Sequence, residues 1–241
     1  MGSMKFRDMD EVGRIKAVQA DARDLARMPE DLRTEAVCLA AVQTVGMALM
    51  AVPDVAKTEA VCMAAVEQDG EALRYVPEDR RTPELYMAAV KNRGDALVLV
   101  PDVAKTEAMC IVAVQDDVLS MQDVPIQLMT SAVCLAAVRT DAVALSAVPE
   151  KLKTEEMCLL AVRQKGEALR FVPARLKTPA VCLAAVKQNG RVLALVPENL
   201  QTPEILIEAA RNTGGFLVTQ RQPTPEDWWA IVAEWEDAHQ L

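Results

Sequence analysis

The sequence predicts an all-α solenoid of about eight repeats of 24 residues, each with a three-turn α-helix and a short α- or 3-10 helix. Three columns of residues lead to this prediction. Prolines recur every 24 residues, at Pro29, Pro53, Pro77, Pro101, Pro125, Pro149, Pro173 and Pro197. A threonine lies five residues after each proline, at Thr34, Thr58, Thr82, Thr106, Thr130, Thr154, Thr178 and Thr202. An alanine lies seven residues further on, at Ala41, Ala65, Ala89, Ala113, Ala137, Ala161, Ala185 and Ala209. Columns that continue without an insertion indicate stacked copies of one unit that cannot bury its apolar face alone.

Each repeat is predicted to open with the α-helix. Threonine is a favourable N-cap because its hydroxyl oxygen accepts a hydrogen bond from a helix N–H group that has no partner in the helix. The next residue is usually Glu or Pro, and both suit the first helical turn. A glycine lies twelve residues after the threonine in six repeats, and we expect it to end the helix in a left-handed conformation. These glycines are Gly46, Gly70, Gly94, Gly166, Gly190 and Gly214.

The segment between this glycine and the next proline has room for only one or two turns. We therefore predict a short α- or 3-10 helix there. Its middle position is a buried leucine column, with Met121 in one repeat and Leu49, Leu73, Leu97, Leu145, Leu169, Leu193 and Leu217 in the others. After the proline we predict a tight loop that leads to the next threonine.

The ends of the chain depart from the repeat. We expect residues 1–9 to be a tag and a flexible N-terminus, and residues 10–29 to be a degenerate capping repeat that begins at Asp10. The solenoid is predicted over residues 30–221 and a C-terminal capping helix over residues 222–241. This last helix carries all three tryptophans of the chain, Trp228, Trp229 and Trp235. They predict a lid on the last repeat or, alternatively, a contact between two copies in a homodimer.

The repeat is least regular between Gln115 and Met129. Val118 replaces the glycine there, and Ile126 replaces the acidic residue that usually follows the proline. Ala142 replaces the glycine of the next repeat. We expect the superhelix to bend at this place, rather than a partner to dock there.

One unit, Thr178–Pro197 with the sequence TPAVCLAAVKQNGRVLALVP, resembles the units of a short repeat family of unknown function. Units of that family read T-P-E-V-C-L-A-A-V-K-Q-N-G-x-A-L-x-x-V-P and occur in bacterial proteins that include effectors delivered into host cells. The resemblance covers nearly all of residues 30–220 and implies no established activity. The repeat is also similar in period to the leucine-rich-repeat variant, whose units alternate an α-helix with a 3-10 helix. That family can carry an iron–sulfur cluster on a separate group of cysteines, which this sequence lacks.

The six cysteines all occupy one column, four residues after the threonine. They are Cys38, Cys62, Cys110, Cys134, Cys158 and Cys182. Tyr86 and Leu206 fill the same column in other repeats, as in a buried apolar position. Neighbouring helices in a stack lie about 8–10 Å apart, whereas a disulfide requires Cα atoms within about 7 Å of each other. We therefore expect free buried thiols, which fit a reducing compartment, and neither a disulfide nor a metal site.

The sequence contains no combination of residues that predicts catalysis. His239 is the only histidine, and the pair Gly214 and Gly215 lacks the Lys-Ser/Thr of a phosphate-binding loop. We therefore expect no enzymatic activity, no cofactor and no bound metal. There is no apolar run long enough to span a membrane and no signal-peptide pattern. These features predict a cytoplasmic location, in a bacterium or, for a delivered effector, in the host cytosol.

The charge distribution bears on the class of partner. The chain has 35 acidic and 26 basic residues and a net charge of -9. An acidic chain opposes binding to a phosphate backbone, so we expect no nucleic-acid partner. In many repeats an acidic residue follows the proline and a basic residue lies three positions later, as in Asp54 and Lys57. We expect these rows to form a solvated edge with weak ion pairs, each worth about 0–1 kcal/mol.

The candidate binding residues lie at repeat positions whose residue type varies, whereas the threonine, alanine and proline columns stay constant. The two residues after the buried leucine are mixed in type and include aromatic, large apolar and Arg side chains, which are common in interface hot spots. The residues predicted to bind a partner are Met50, Arg74, Tyr75, Val98, Leu99, Gln122, Asp123, Arg170, Phe171 and Leu195. The competing interpretation is that the second residue of each pair is half-buried against the next repeat.

The function predicted from these patterns is a non-enzymatic scaffold that binds a protein or peptide along the face of the short helices. Two alternatives remain at this point. The first is a structural protein that self-associates through Trp228, Trp229 and Trp235. The second is an acidic decoy or inhibitor of a basic target, including a bacterial effector. The sequence is compatible with a monomer and with a homodimer.

Overall fold

A computed structural model describes residues 2–213 together with Trp229 and Ala233. It divides into two compact units, Met1–Leu128 and Met129–Leu241. The regular structure of the described residues consists of α-helices and 3-10 helices, with no β-strand among them. Successive helices pack against their neighbours in sequence within each unit. This arrangement confirms the prediction of an all-α, solenoid-like fold.

The first unit contains seven α-helices in its described part. They are α1 (Gly2–Arg7), α2 (Glu11–Ala20), α3 (Asp24–Arg27), α4 (Glu35–Thr44), α5 (Glu59–Gln68), α6 (Pro83–Asn92) and α7 (Glu107–Asp116). The 3-10 helices of this unit are Glu30–Leu32, Gly46–Ala51, Asp54–Ala56, Gly70–Tyr75, Glu78–Arg80, Gly94–Leu99, Val118–Asp123 and Ile126–Leu128.

The second unit continues the same pattern. Its α-helices up to residue 213 are α8 (Ser131–Thr140), α9 (Glu155–Gln164), α10 (Pro179–Gln188) and α11 (Pro203–Thr213). Its 3-10 helices are Ala142–Ser146, Glu150–Leu152, Gly166–Phe171, Ala174–Leu176, Gly190–Leu195 and Glu198–Leu200. The boundary between the units falls within the irregular segment around residues 115–129. The bend expected in that segment remains a prediction.

The threonine column caps the α-helices as predicted. The hydroxyl of Thr58 accepts a hydrogen bond from the Val61 amide at 3.3 Å, and Asp10 caps α2 in the same way through the Gly13 amide at 2.8 Å. The threonine also has a second role that the sequence analysis missed. The Thr58 hydroxyl donates to the carboxylate of Glu35, one repeat earlier, at 2.7 Å. Thr34 and Thr178 donate in the same way, to Glu11 and Glu155, so in these three repeats the cap ties the start of the α-helix to the preceding α-helix.

The alanine, cysteine and leucine columns form the core. Every alanine of the column has 0% of its surface exposed. The cysteines are buried and unbonded to one another, which confirms the prediction of free buried thiols. The described leucines of the leucine column, from Leu49 to Leu193, are fully buried. Because alanine has only a methyl group, this column lets the backbones of neighbouring helices approach closely.

The glycine column does not end the helices in a left-handed conformation, so that prediction was wrong. None of the described glycines of the column has a φ angle in the left-handed region. The α-helices end one residue earlier in extended backbone, as at Asp69, and Gly70 begins the 3-10 helix. Glycine is needed there because a Cβ on Gly70 would lie 2.5 Å from the carbonyl oxygen of Ala89 in the next repeat. The requirement is space for the neighbouring backbone.

Two shorter segments also differ from the predictions. The segment after each proline is mostly a single 3-10 turn, such as Asp54–Ala56, where we expected a loop. At the start of the chain, where we expected a flexible end, Gly2–Arg7 form a helix and Phe6 is buried. Arg14 donates to the carbonyl of Phe6 at 3.1 Å, which holds this helix against α2.

Candidate functional site

The two variable residues differ in exposure in five of the short helices, whereas Ser146 and Ala147 are both exposed and Ala194 and Leu195 are both partly buried. The first residues are exposed, with Met50 65% and Val98 57% accessible, and Arg74, Gln122 and Arg170 exposed as well. The second residues of the predicted set, Tyr75, Leu99, Asp123, Phe171 and Leu195, are partly buried. We call the exposed first positions the variable row; its members are Met50, Arg74, Val98 and Gln122 in the first unit and, separately, Ser146 and Arg170 in the second. The interpretation that the second residue is half-buried therefore describes those side chains well.

The backbone of these pairs is held by basic side chains of the preceding repeat. The Lys153 ammonium group donates to the carbonyl of Phe171 at 2.8 Å, and Lys177 donates to the carbonyl of Leu195 at 3.0 Å. Arg33 and Lys105 do the same for Ala51 and Asp123, each at 2.7 Å. Each bond spans 18 residues, so it fastens one repeat to the next.

These contacts correct the predicted nature of the basic row. We expected a solvated edge, but Lys153 is only 8% exposed, and the side chain of Lys105 is 6% exposed. The ion pairs with the preceding acids do occur in two repeats, between Lys57 and Asp54 at 3.0 Å and between Lys105 and Asp102 at 2.9 Å. The carbonyl bonds explain why a basic residue recurs at this position. A buried ammonium group requires such partners.

In the first unit, half of the predicted residues come together around one open cavity. Arg74, Val98, Leu99, Gln122 and Asp123 line a depression of about 240 Å³. The lining is mixed, because apolar Ala96, Val98 and Leu99 lie beside charged and polar side chains. A site of this composition suits a side chain with an apolar stem and a polar or charged end.

A network of charges borders this cavity, and the sequence analysis missed it. Arg93 pairs with Asp95 at 2.6 Å and lies 3.7 Å from Glu71, which in turn is 3.3 Å from Arg74. The hydrogen bond between Arg93 and Asp95 raises the pKa of Arg93 and lowers the pKa of Asp95. Both groups are therefore charged at neutral pH. Arg93 directly precedes Gly94. The residue type at this position differs between repeats, as Asp69 and Lys165 show.

In the second unit, Arg170 and Phe171 line a smaller cavity of about 160 Å³ together with Val143, Lys165 and Glu167. Val143 is exposed to 42% and supplies an apolar side for this cavity. Of the remaining predicted residues, Met50, Tyr75 and Leu195 belong to neither cavity. They continue the same pair of columns in other repeats.

The predicted contact through the tryptophans is only partly described. Trp229 is helical and 75% exposed. Trp228 and Trp235 lie outside the described residues, as do His239, Gly214, Gly215 and Leu217. Self-association through this segment therefore remains a prediction.

The cysteine thiols have the raised pKa values of buried core residues, not the lowered values of reactive cysteines. Burial raises the pKa of the Cys38 thiol to about 11 and raises the pKa of the other five cysteines in the same direction. A thiol with a raised pKa is a poor nucleophile at neutral pH, because the thiolate is the reactive form. Within residues 2–213, Trp229 and Ala233, no cluster of three or more His, Cys, Asp or Glu could hold a metal ion. In the same residues, no helix has the length and apolarity that a membrane crossing requires.

Comparison with known proteins adds a limited result. No curated protein and no solved structure matches the chain. Residues 59–102, which run from the start of α5 to the residue after Pro101, match the family model described as Domain of unknown function (DUF4116). This part of the chain is therefore similar to a family that has no assigned function.

Proposed function

We propose that this protein is a non-enzymatic scaffold that binds another protein, or a peptide segment of one, along the variable row. The observation that carries the proposal is the contrast between backbone and side chains at these positions. The backbone is fastened from one repeat to the next by partly buried bonds such as Lys153 to Phe171, while side chains such as Met50 and Val98 are exposed to solvent. Within each unit, side chains on a backbone held in this way lose little conformational entropy on binding, which favours affinity.

The composition of the row also supports a protein partner. Exposed methionine, valine and arginine beside partly buried tyrosine and phenylalanine combine apolar area with directional polar groups. Large exposed apolar side chains in a cluster commonly mark interaction sites. The cavity beside Val98 and Leu99 offers a place for one anchoring side chain, and Arg74 and Gln122 offer hydrogen bonds at its rim.

We also infer from the resemblance of the repeats that the protein is bacterial and acts in a cytoplasm, either its own or that of a host cell. Residues 59–102 match a family of unknown function, and repeats of similar sequence occur in delivered effectors. The buried free cysteines fit a reducing compartment.

The experiment that tests the proposal compares three immobilised forms of the chain in a lysate of the source cells. They are the wild type, a row variant with Met50→Ser, Val98→Ser and Arg170→Ala, and a control with Val55→Ser and Val103→Ser. Val55 and Val103 are 89% and 98% exposed and lie in the segments after Pro53 and Pro101, so they are not members of the row. The control therefore removes similar apolar area from another surface.

We expect quantitative mass spectrometry to show proteins that the wild type and the control retain and that the row variant loses. The structure favours these substitutions over Tyr75, Leu99 and Phe171, because partly buried side chains would confuse lost binding with lost stability. Equal retention of the same proteins by all three forms would contradict the proposal.

A further inference from the structure

Asp123 places a carboxylate at a position where other repeats have an apolar or aromatic side chain. The equivalent residues are Ala51, Tyr75, Leu99, Ala147, Phe171 and Leu195. Asp123 is partly buried and lines the cavity of about 240 Å³ in the first unit. Its backbone carbonyl accepts the bond from Lys105 at 2.7 Å. Its carboxylate, however, has no hydrogen-bond or ion-pair partner among the residues that the structure describes.

The basic side chains around Asp123 are already paired with other acids. The ion pairs of the two arginines that line the cavity, and of the lysine beside it, are Arg93 with Asp95 at 2.6 Å, Arg74 with Glu71 at 3.3 Å and Lys105 with Asp102 at 2.9 Å. The negative charge of Asp123 is therefore left without a counter-charge. A partly buried carboxylate attracts a cation more strongly than an exposed one does, because salt screens it less.

The rest of the cavity suits the stem of a long side chain. Ala96, Val98 and Leu99 contribute apolar lining beside Asp123. Lysine and arginine have flexible chains of methylene groups that lie along apolar surface while the charged head meets a polar group. The cavity, at about 240 Å³, is smaller than the roughly 300–1,000 Å³ of small-molecule sites. It therefore fits one side chain better than a whole cofactor.

We propose that this cavity selects a basic side chain, arginine or lysine, of the protein that binds the variable row. The methylene groups of that side chain lie on Val98 and Leu99, and its charge pairs with the carboxylate of Asp123. The inference rests on the proposed function, because Arg74, Val98 and Gln122 of the row line the same cavity. It adds the chemistry of one anchoring residue of the partner and makes Asp123 the residue that recognises it.

The cavity of the second unit has the opposite charge balance. It is lined by two basic residues, Lys165 and Arg170, and by one acidic residue, Glu167. Phe171 takes the place of Asp123 there. Like charges across a contact are unfavourable, so a basic side chain that binds the first cavity should not bind the second.

Amide NMR spectra of the isotope-labelled full chain test the proposal with two defined probes, acetyl-Ala-Arg-Ala-amide and acetyl-Ala-Gln-Ala-amide. We expect the arginine peptide to shift the amide signals of residues 94–99 and 118–123, with a dissociation constant of about 1–10 mM. The glutamine peptide should bind at least about fivefold more weakly, because it lacks the charge. The signals of residues 166–171, in the second unit, should not move.

Three variants assign the binding to the carboxylate. Asp123→Asn should weaken binding of the arginine peptide at least about fivefold and remove its advantage over the glutamine peptide. Asp123→Leu should do the same, and it introduces the residue type that Leu99 and Leu195 supply at this position. Asp79→Asn is the matched control, because it removes one negative charge from an exposed residue of the turn after Pro77 that does not line the cavity. It should change the dissociation constant less than about twofold.

Several results would overturn the proposal. These are equal binding of the two peptides by the wild type, no binding of the arginine peptide up to about 20 mM, or unchanged binding by both Asp123 variants. A loss in Asp79→Asn as large as that in Asp123→Asn would assign the effect to the overall negative charge and would also overturn it. The scaffold function is tested separately. A lysate protein that the row variant loses but Asp123→Asn retains would support the scaffold and contradict the basic anchor.

Discussion

The amide nitrogen of Gly70 donates a hydrogen bond to Oδ1 of Asn92, at 2.8 Å and 22 residues further along the chain. The same bond joins Gly94 to Asp116 at 2.7 Å and Gly190 to Asn212 at 2.9 Å. The start of the short helix in these repeats is thus tied to the end of the next α-helix. Together with the bonds from lysine to carbonyl groups, it makes these repeats depend on the ones that follow them.

We predict that Asn92→Ala lowers the free energy of unfolding by about 1–3 kcal/mol, because it leaves the buried amide of Gly70 without a partner. It also removes the bond from Asn92 to the carbonyl of Glu67, at 2.8 Å. Asn92→Asp is the matched control, since Asp116 serves as the acceptor in the next repeat. Urea unfolding checks both variants. A loss from Asn92→Asp as large as that from Asn92→Ala would show that the acceptor oxygen is not what stabilises this position.

The second prediction concerns the close approach at the glycine column. Gly70→Ala should destabilise the fold by about 1–3 kcal/mol, because its Cβ would lie 2.5 Å from the Ala89 carbonyl oxygen and the backbones must separate. Gly13→Ala in α2 is the control. Its Cβ would meet Oδ1 of the N-cap Asp10 at 3.1 Å and the Cβ of Met9 at 3.4 Å. Both are side-chain atoms that need to shift by only a few tenths of an ångström, so the variant should gain up to about 1 kcal/mol from helix propensity. Thermal unfolding that moves in the same direction for both would contradict this explanation.

The third prediction separates a buried lysine from an exposed one in the same turn. Lys153→Met removes the ammonium group that donates to the Phe171 carbonyl, and we expect a loss of about 1.5–3 kcal/mol, the range for hydrogen bonds of charged groups. Lys151→Met, two residues earlier and exposed, should change stability by less than about 0.5 kcal/mol. Equal midpoints of denaturant unfolding for the two variants would refute the role given to this column.

The fourth prediction follows from the raised pKa of the thiols. A group whose pKa is higher in the folded state stabilises the fold fully below its unfolded pKa and loses that contribution as pH rises through the folded value. For Cys38 these values are 9.0 and about 11. The fold should therefore become less stable between about pH 9 and 11. Cys38→Ala should reduce the difference between urea midpoints measured at pH 8 and pH 10.5, and an unchanged difference would contradict the assignment.

Native thiols should also react slowly at neutral pH. The six cysteines are buried, so alkylation requires local or global opening of the chain. We expect the rate of labelling by iodoacetamide to increase with urea along the unfolding curve. A cysteine that labels rapidly in the native protein would show that its column is not a sealed part of the core.

The fold could be predicted from the sequence because each framework column has one dominant physical reason. Threonine at a helix start, alanine between close helices and leucine in the short helix each fit one environment well. The glycine column was misassigned because two environments require glycine, a left-handed residue and a close backbone approach. Sequence alone places Gly70 at the helix end, but it does not show that Ala89 of the next repeat lies against it.

The candidate site could be predicted only in part for a similar reason. The variable pairs were identified from the columns, but which member is exposed depends on the direction of a 3-10 helix against its neighbours. The basic column was expected in solvent because an acid precedes it by three residues. Instead, the basic side chains point into the protein because they bond carbonyl groups 18 residues later, as Lys153 does with Phe171. Arg93 and Asp95 were missed because their pairing joins two columns that look unrelated in the alignment of repeats.

The most direct test of the scaffold function is photo-crosslinking from single positions. A photoreactive amino acid is placed at Val98, in the variable row, or at Val103, which is more exposed at 98% but lies in the turn after Pro101. Both proteins are irradiated in a lysate of the source cells. The account predicts a discrete crosslinked partner from position 98 and none from position 103. Crosslinks of equal yield from the two positions, or none from position 98, would contradict it.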